Sequence, residues 1–353
     1  MVINPGFDVT GGVVSPQRRI PTNFVNFSLI CWVRRKLCGH SKLGRLPSMN
    51  PALSRIATIK VSRLTTRLRQ RFDIKPSPIA PDLLTFFEVI GYIVFLAADI
   101  NIGRHKAQRS SDAEVVLCDR LRNALKQINP KVPCEVIETV ISGLISTHSS
   151  DLLKNNCRFH KLLTDGVDVV YHHDEQIVHD KVWLIDSSNL LSNDWLVIHG
   201  FTIVEEYHSH CLDVVVFING LPLAVIVWSN SRYEKGRLWE AYQRLQIYQQ
   251  QIPTLFFYNV FQAIIVGNLA RVGTLTSQWQ EFLPWRTIDG EDFPCVGETE
   301  LEVLIQGIFD KRRFLELVQH FIVFEQTGAS ISKKLLRHPF CTIQHPKSRS
   351  RMI

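Results

Sequence analysis

The sequence predicts a mixed α/β domain behind a basic N-terminal segment. Three observations carry that expectation. Apolar residues recur at helical spacing from Asp82, the texture turns to β-branched runs after Val167, and an Asn-Gly pair joins the two strongest of those runs. The chain has 353 residues, 40 Lys+Arg against 33 Asp+Glu, and 45% hydrophobic side chains. That composition supports a sizeable core and excludes a wholly disordered chain. The charge is segmental: residues 1–78 hold 14 Lys+Arg against two acids, Asp8 and Asp73, which leaves 26 basic and 31 acidic groups in the rest. The basic head, residues 1–77, reads either as a poorly ordered leader or as an electrostatic attachment to nucleic acid.

Each element follows from local pattern. Pro76, Pro78 and Pro81 punctuate the end of the head, and Leu83, Phe86, Phe87 and Ile90 then fall at i, i+3, i+4 and i+7 until Gly91 stops the helix. Ser110, Ser111 and Asp112 offer N-caps for a second helix running to about Ile128, with Val115, Val116, Leu121, Ala124 and Leu125 as its apolar stripe. Pro130 and Pro133 close it, and Cys134 to Ile145 reads as a third helix. Val167 to Tyr171 and Ile177 to Ile185 flank a polar turn and suit a hairpin, and Trp195 to Val204 is a further strand region interrupted at Gly200. Next come Leu212 to Ile218 and Leu221 to Trp228 around Asn219-Gly220, a pair suited to a type I′ turn because both central residues need positive φ. A helix over about 234–250, a strand over 261–266, and two helices over about 298–309 and 311–323 complete the pattern before a short basic tail, 333–353.

Several function classes are disfavoured at this level. No apolar run reaches the roughly 18 residues a membrane helix needs; the nearest, Leu83 to Ala98, is broken by Glu88 and Gly91. Residues 1–20 carry no charged-then-apolar export signal, and the eight cysteines form no CxxC pair, so a reducing cytoplasm is the expected location. His172, His173, His179, His208 and His210 sit in or beside a polar turn and strand ends, where surface histidines are ordinary and no cysteine joins them at ligand spacing.

The Asn-Gly hairpin is where chemistry could sit. With the turn at 219–220, cross-strand partners sum to about 439, placing Asp213 opposite Ile226 and beside Val227, while residues 227 and 229 share a face. An acid at 213, a carboxylate at 227 and a lysine at 229 would hold a divalent cation and orient an attacking water. This chain supplies the first of the three.

That hairpin, Asp213 through Asn219-Gly-Leu-Pro-Leu-Ala-Val-Ile226, resembles the N-terminal domain of type I restriction enzyme R subunits. Similar strings occur in family order at Glu88 to Phe95, Arg109 to Leu117, Asn155 to Val167, Asn193 to Val197, Pro284 to Gly290 and Phe309 to Phe314, so that the resemblance covers roughly residues 82–337. It implies a nuclease domain of the PD-(D/E)xK kind over 78–290, a mixed sheet flanked by helices, with a helical linker over 291–332 toward a motor that this chain does not contain. It implies magnesium-dependent DNA cleavage, an ATP-driven motor on the same subunit, and modification and specificity subunits as partners beside DNA. The sequence itself holds no GxxxxGK[ST] phosphate loop.

The family's cleavage residues are an Asp, a Glu-x-Lys on the next strand and a Gln-x-x-x-Tyr on the following helix. Carried onto this chain, the metal-binding Asp is Asp213 and the tyrosine is Tyr248, while the Glu, Lys and Gln positions hold Val227, Ser229 and Arg244. Valine cannot ligate a hard cation and serine lacks the lysine's charge, so a cleavage-deficient domain is expected, with Arg244 as a DNA contact. Glu234, Lys235 or Glu240 standing in for the lost acid and lysine would restore chemistry, but they begin the next helix, away from the hairpin face. The alternatives are a non-catalytic module that binds DNA or docks on the modification complex, and a decayed gene fragment.

Overall fold

The computed structural model describes residues 81–336 except 98–108, 147–148, 174–175, 230–233, 289–298 and 329. The basic head 1–77 lies outside the described residues, as does the tail from 337 onward. Among the described residues, no helix is long and apolar enough to cross a membrane.

A six-stranded mixed sheet forms the centre, in the order β1 (Ile93–Leu96), β4 (Trp195–Glu205), β5 (His208–Ile218), β6 (Leu221–Ser229), β7 (Phe261–Val266), β8 (Leu269–Gly273). The β1–β4 and β6–β7 pairs are parallel and the rest antiparallel. From Leu212 through Trp228 every residue but Asp213 is buried, as expected of strands covered on both faces. The two faces are distinguished on β7. Gln262 bonds to Gln249 of α5 (Glu234–Gln251) on one side, whereas Phe261 packs edge-on against Phe309 and Phe314 on the other. Phe309 and Phe314 belong to an aromatic cluster completed by Phe87, Tyr92 and Trp195. It packs α1 (Pro81–Val89), α7 (Glu300–Ile308) and α8 (Lys311–Glu316) on the face opposite α5. The fold class read from the sequence, a mixed sheet flanked by helices, is therefore the one observed.

Helix α1 ends where expected, with Gly91 at φ 88°, and α3 (Cys134–Ile145) buries Ile137, Val140, Ile141 and Leu144 at helical spacing. The second helix differs. α2 (Cys118–Ile128) starts six residues beyond the expected Asp112 cap. The Asp112 carboxylate is taken by Arg109 at 2.6 Å, its carbonyl accepts from Val204 N, and Val115 to Leu117 are buried in the core outside any helix, with Leu117 N bonded to Gly220 O. A helix not anticipated, α4 (Leu152–Asp165), opens on Asp151, whose carboxylate accepts from the amides of Leu153 and Lys154, and closes at Gly166. Its buried face carries Asn155, Asn156 and His160 beside Phe159 and Leu163, so no apolar stripe announces it. β2 (Val167–His173) and β3 (Gln176–Val182) form the expected separate hairpin, three residues shorter at its far end.

The C-terminal run departs most. The helix expected to reach Val323 stops at Glu316, passes through one wide turn at Leu317–Phe321, and becomes β9 (Ile322–Thr327) paired with β10 (Ser330–Leu335). Ile322, Val323 and Phe324 are β-formers, and Gly328 at φ 63° makes the turn. Residues 333–335, expected as the start of a tail, are thus part of a strand.

The β5–β6 turn fixes the geometry of everything near it. Asn219 and Gly220 have φ of 54° and 78°, the type I′ pattern. Buried Asn219 donates to Leu184 O at 2.8 Å and Asn193 Oδ1 at 2.9 Å and accepts from Asp194 N at 2.7 Å. A Cβ on Gly220 would stand 2.5 Å from Leu117 O and 2.9 Å from Leu121 N, so only glycine lets the start of α2 approach. Partners sum to 439 for Ile218–Leu221 and Phe217–Pro222, but Val216 pairs Ala224 and Val214 pairs Ile226. Leu223 is the extra residue of a β-bulge, and the expected register slips by one. Carried one step further, that register sets Asp213 level with Val227 rather than with Ile226.

Gly220→Ala should lower stability by about 2 kcal/mol or more, because left-handed strain and backbone overlap act together. In contrast, Gly143→Ala lies in the last turn of α3 with nothing within 4 Å of the new methyl and should raise it by up to ~1 kcal/mol. Urea unfolding midpoints of the two variants check both signs.

Candidate functional site

The structure gathers Asp213, Arg244 and Tyr248 into one contact. Asp213 stands on the α5 face of β5, half-buried, and its Oδ2 accepts from the Trp228 amide at 2.9 Å and from Arg244 Nη2 at 2.9 Å. The same Nη2 donates to the Tyr248 hydroxyl at 3.0 Å, one helical turn further along α5. Residues four apart on a helix share a face, which is why the arginine and tyrosine reach the strand together. Burial works against the Arg244 charge, but the Asp213 carboxylate and the Tyr248 hydroxyl outweigh it and hold the guanidinium above its ordinary pKa. Side-chain exposures of 22% for Asp213 and 39% for Arg244 make this a partly desolvated pair, neither a surface contact nor a sealed one.

His199 on β4 was not among the sequence candidates. Its Nδ1 lies 2.7 Å from the carbonyl oxygen of Asp213 and donates to it, which fixes the tautomer. The carbonyl is available because Gly200, at φ 75°, drops out of the β4–β5 ladder opposite Asp213. The interruption at Gly200 was the only signal in the sequence. His210 lies on β5 itself, three residues before Asp213, with Nε2 2.5 Å from Gln251 Oε1 and its ring 5.0 Å from that of Tyr248.

The remaining positions offer no metal chemistry. Val227 is level with Ile264 of β7, faces α5 and is completely buried; Ser229 is half-buried at the end of β6. Glu240 is exposed on α5, and the side chains of Glu234 and Lys235 lie outside the described residues. Among the described residues no three His, Cys, Asp or Glu side chains stand close enough to hold a metal ion. Asp213 is the one acidic side chain of the strand pair, and it faces a guanidinium where a hard cation would need a second oxygen ligand. The donor set does not fit magnesium. A small cavity of about 20 Å³ between α4 and the 257–258 turn is lined by Phe159, Leu162, Phe257 and Tyr258 and holds at most about one water.

A mixed sheet carrying an acid on a central hairpin, under a helix that crosses it, is a nuclease-like α/β arrangement. Residues 82–281, more than half of the chain, match the family described as type I restriction enzyme R protein N terminus, and the chain belongs to that family. It is 28% identical over 258 residues to the type I restriction enzyme HindI endonuclease subunit of Haemophilus influenzae, covering 71% of this chain and 24% of that protein. Over 238 residues it is 25% identical to a Methanocaldococcus jannaschii protein assigned as the endonuclease subunit of the type I restriction enzyme MjaIXP, covering 62% of this chain and 23% of the other. The chain thus spans about a quarter of the length of the curated relatives it matches.

A double-mutant cycle measures the site's central contact. Asp213→Asn and Arg244→Met should each destabilise by about 1 kcal/mol, and the double variant by less than their sum, with a coupling of roughly 1 kcal/mol. Additive effects in chemical denaturation would mean that the two side chains do not act as a pair.

Proposed function

We propose that this chain serves a type I restriction system as an R-subunit N-terminal domain that does not cut DNA through the Asp213 site. Its setting is the cytoplasm, with DNA and the modification and specificity subunits as partners. The observation that carries this reading is the Asp213–Arg244 pair. The carboxylate that would ligate magnesium already has a resident cation, and the neighbouring strand presents Val227 and Ser229 in place of a second ligand and an ammonium. ATP turnover, where the system uses it, is not assigned to these 353 residues, in which no phosphate loop occurs.

Arg244 is better read as Asp213's partner than as a DNA contact. Its Nη2 is committed inward to Asp213 and Tyr248, and a phosphate would have to compete with an ion pair already formed. The domain's contribution is then positional: it carries a family fold into the assembly without adding strand scission.

The test is nicking of supercoiled plasmid in magnesium by the full chain and a series of reversions. The native chain and Asp213→Ala should both be inert. Val227→Glu with Ser229→Lys should stay near background, because Arg244 still occupies Asp213. Adding Arg244→Gln should release the carboxylate and produce magnesium-dependent cutting. Cutting by the native chain, lost in Asp213→Ala, would sink the proposal.

A further inference from the structure

The hairpin β9–β10 is held to the domain in an unusual way. Its burial is sparse: Lys333 is the single buried residue of β10, Ile322 that of β9, and Phe324 and Leu335 are half-buried. Lys333 is 1% exposed, and its ammonium passes into the domain to donate to Asn156 Oδ1 at 2.9 Å and Asn259 O at 2.6 Å. Its backbone is tied as well. Lys333 N donates to Thr276 Oγ1 at 2.8 Å, and its carbonyl accepts from Thr274 Oγ1 at 2.5 Å and Thr276 Oγ1 at 2.7 Å. Among the described residues no carboxylate pairs with this ammonium. A buried cation held by neutral groups, two oxygens and the Phe324 ring, is a weak anchor, because burial opposes the charge and no anion offsets it.

The socket leads toward the site. Asn156 on α4 uses its amide nitrogen to hold the carbonyls of Phe256, Phe257 and Asn259 at 2.9, 3.1 and 2.8 Å. Those carbonyls belong to the short turn of helix Pro253–Phe256 and its exit, directly after α5. Asn156 therefore joins the ammonium of the hairpin, through one side chain, to the segment that terminates the helix carrying Arg244 and Tyr248.

We propose that β9–β10 is a releasable strap, latched by Lys333 in the Asn156–Asn259 socket, whose release loosens residues 253–259 behind α5. Strain on the chain that continues from Leu336 would act on β10 and be felt at the end of α5. The mechanism does not depend on whether the Asp213 site cleaves DNA.

Titration supports the latch. Burial lowers the Lys333 pKa from 10.5 to about 7, with Cys157 opposing the shift. The groups facing it do not interfere near neutrality. On α4, burial and the Lys333 charge hold His160 at about 3, and burial raises the Cys157 thiol against the pull of Lys333 and Lys161. Burial raises the Tyr258 hydroxyl of the 256–259 turn, and the 274–276 loop presents hydroxyls. On the hairpin, Phe324 lays its ring 5.3 Å from the ammonium, and Glu325 turns outward to Lys334. A released Lys333 has its ordinary pKa, so between about pH 7 and 10.5 the released form binds more protons and docking strengthens as pH rises. Below about pH 7 both forms are charged and the dependence vanishes.

Hydrogen exchange of the full chain, corrected for intrinsic rates, tests this on peptides covering 322–335 and 253–260. The hairpin amides should open far more readily than those of β5 and β6, and their opening constant should fall several-fold per unit between pH 7 and 8.5. Lys333→Met should abolish that pH dependence and raise exchange in 253–260. Hairpin protection equal to that of β5 and β6, or a flat pH series in the native chain, overturns the strap, and the native series decides this even where the variant fails to fold. An effect of Lys333→Met confined to 322–335 overturns the link to α5.

Discussion

Asn219 and Gly220 occupy two residues, yet the position of every group near Asp213 depends on them. The left-handed pair turns the chain with the twist that two neighbouring strands require. The Asn219 side chain then ties that turn to Leu184, Asn193 and Asp194, and Gly220 lets the first turn of α2 rest directly on its backbone. With the turn pinned from three sides, the register of β5 against β6 has no freedom, and the bulge at Leu223 is built into it. A one-residue slip exchanges the two faces of a strand. The bulge therefore decides which β6 residue stands level with Asp213 under α5, and that residue is Val227.

The second constraint is electrostatic and follows from the first. A carboxylate on a strand whose neighbours are all buried is stable only with partners. One is the Trp228 amide, supplied by the sheet. The other must come from across the interface, and α5 delivers it as Arg244, backed by Tyr248 on the next turn. Helix position, strand register and charge compensation thus agree on one arrangement, in which the carboxylate's partners are an amide and a guanidinium.

Much of this was legible in the sequence where one periodicity ruled. Leu83, Phe86, Phe87 and Ile90 gave α1, the Cys134 to Ile145 stripe gave α3, and Asn219-Gly220 gave the hairpin. Elements built on mixed faces were not legible. α4 hides its buried side behind Asn155, Asn156 and His160, and Ile322 and Val323 read as the end of an apolar helix until Gly328 folds the strand back. The site residues came from resemblance, which named Asp213, Arg244 and Tyr248 but not their relation. That Arg244 grips Asp213 depends on how α5 packs over β6 and β7, and that His199 reaches the Asp213 carbonyl depends on one glycine leaving the ladder. Neither is a property of local spacing.

Asp213 and Lys333 are opposite solutions to the same physical problem. Each is a charge brought out of water by packing, Asp213 on the central sheet and Lys333 on the separate β9–β10 hairpin. Asp213 is half-buried and meets a guanidinium and an amide, so it has a partner of opposite sign and a set geometry. Lys333 is more deeply buried and meets an amide oxygen, a carbonyl and the Phe324 ring but no carboxylate among the described residues, so burial opposes its charge. A matched pair fixes structure, because removing either member exposes the other to the full desolvation penalty. An unmatched cation does the reverse: it lowers the free energy needed to withdraw it, since water regains a group the protein holds poorly. The ionic lock therefore sits where α5 crosses the sheet and the weak anchor sits on the β9–β10 hairpin, so that motion is resisted at the site and admitted at the hairpin. Asn156, bonded on one side to the anchor and on the other to the segment ending α5, is the residue through which the two are in contact.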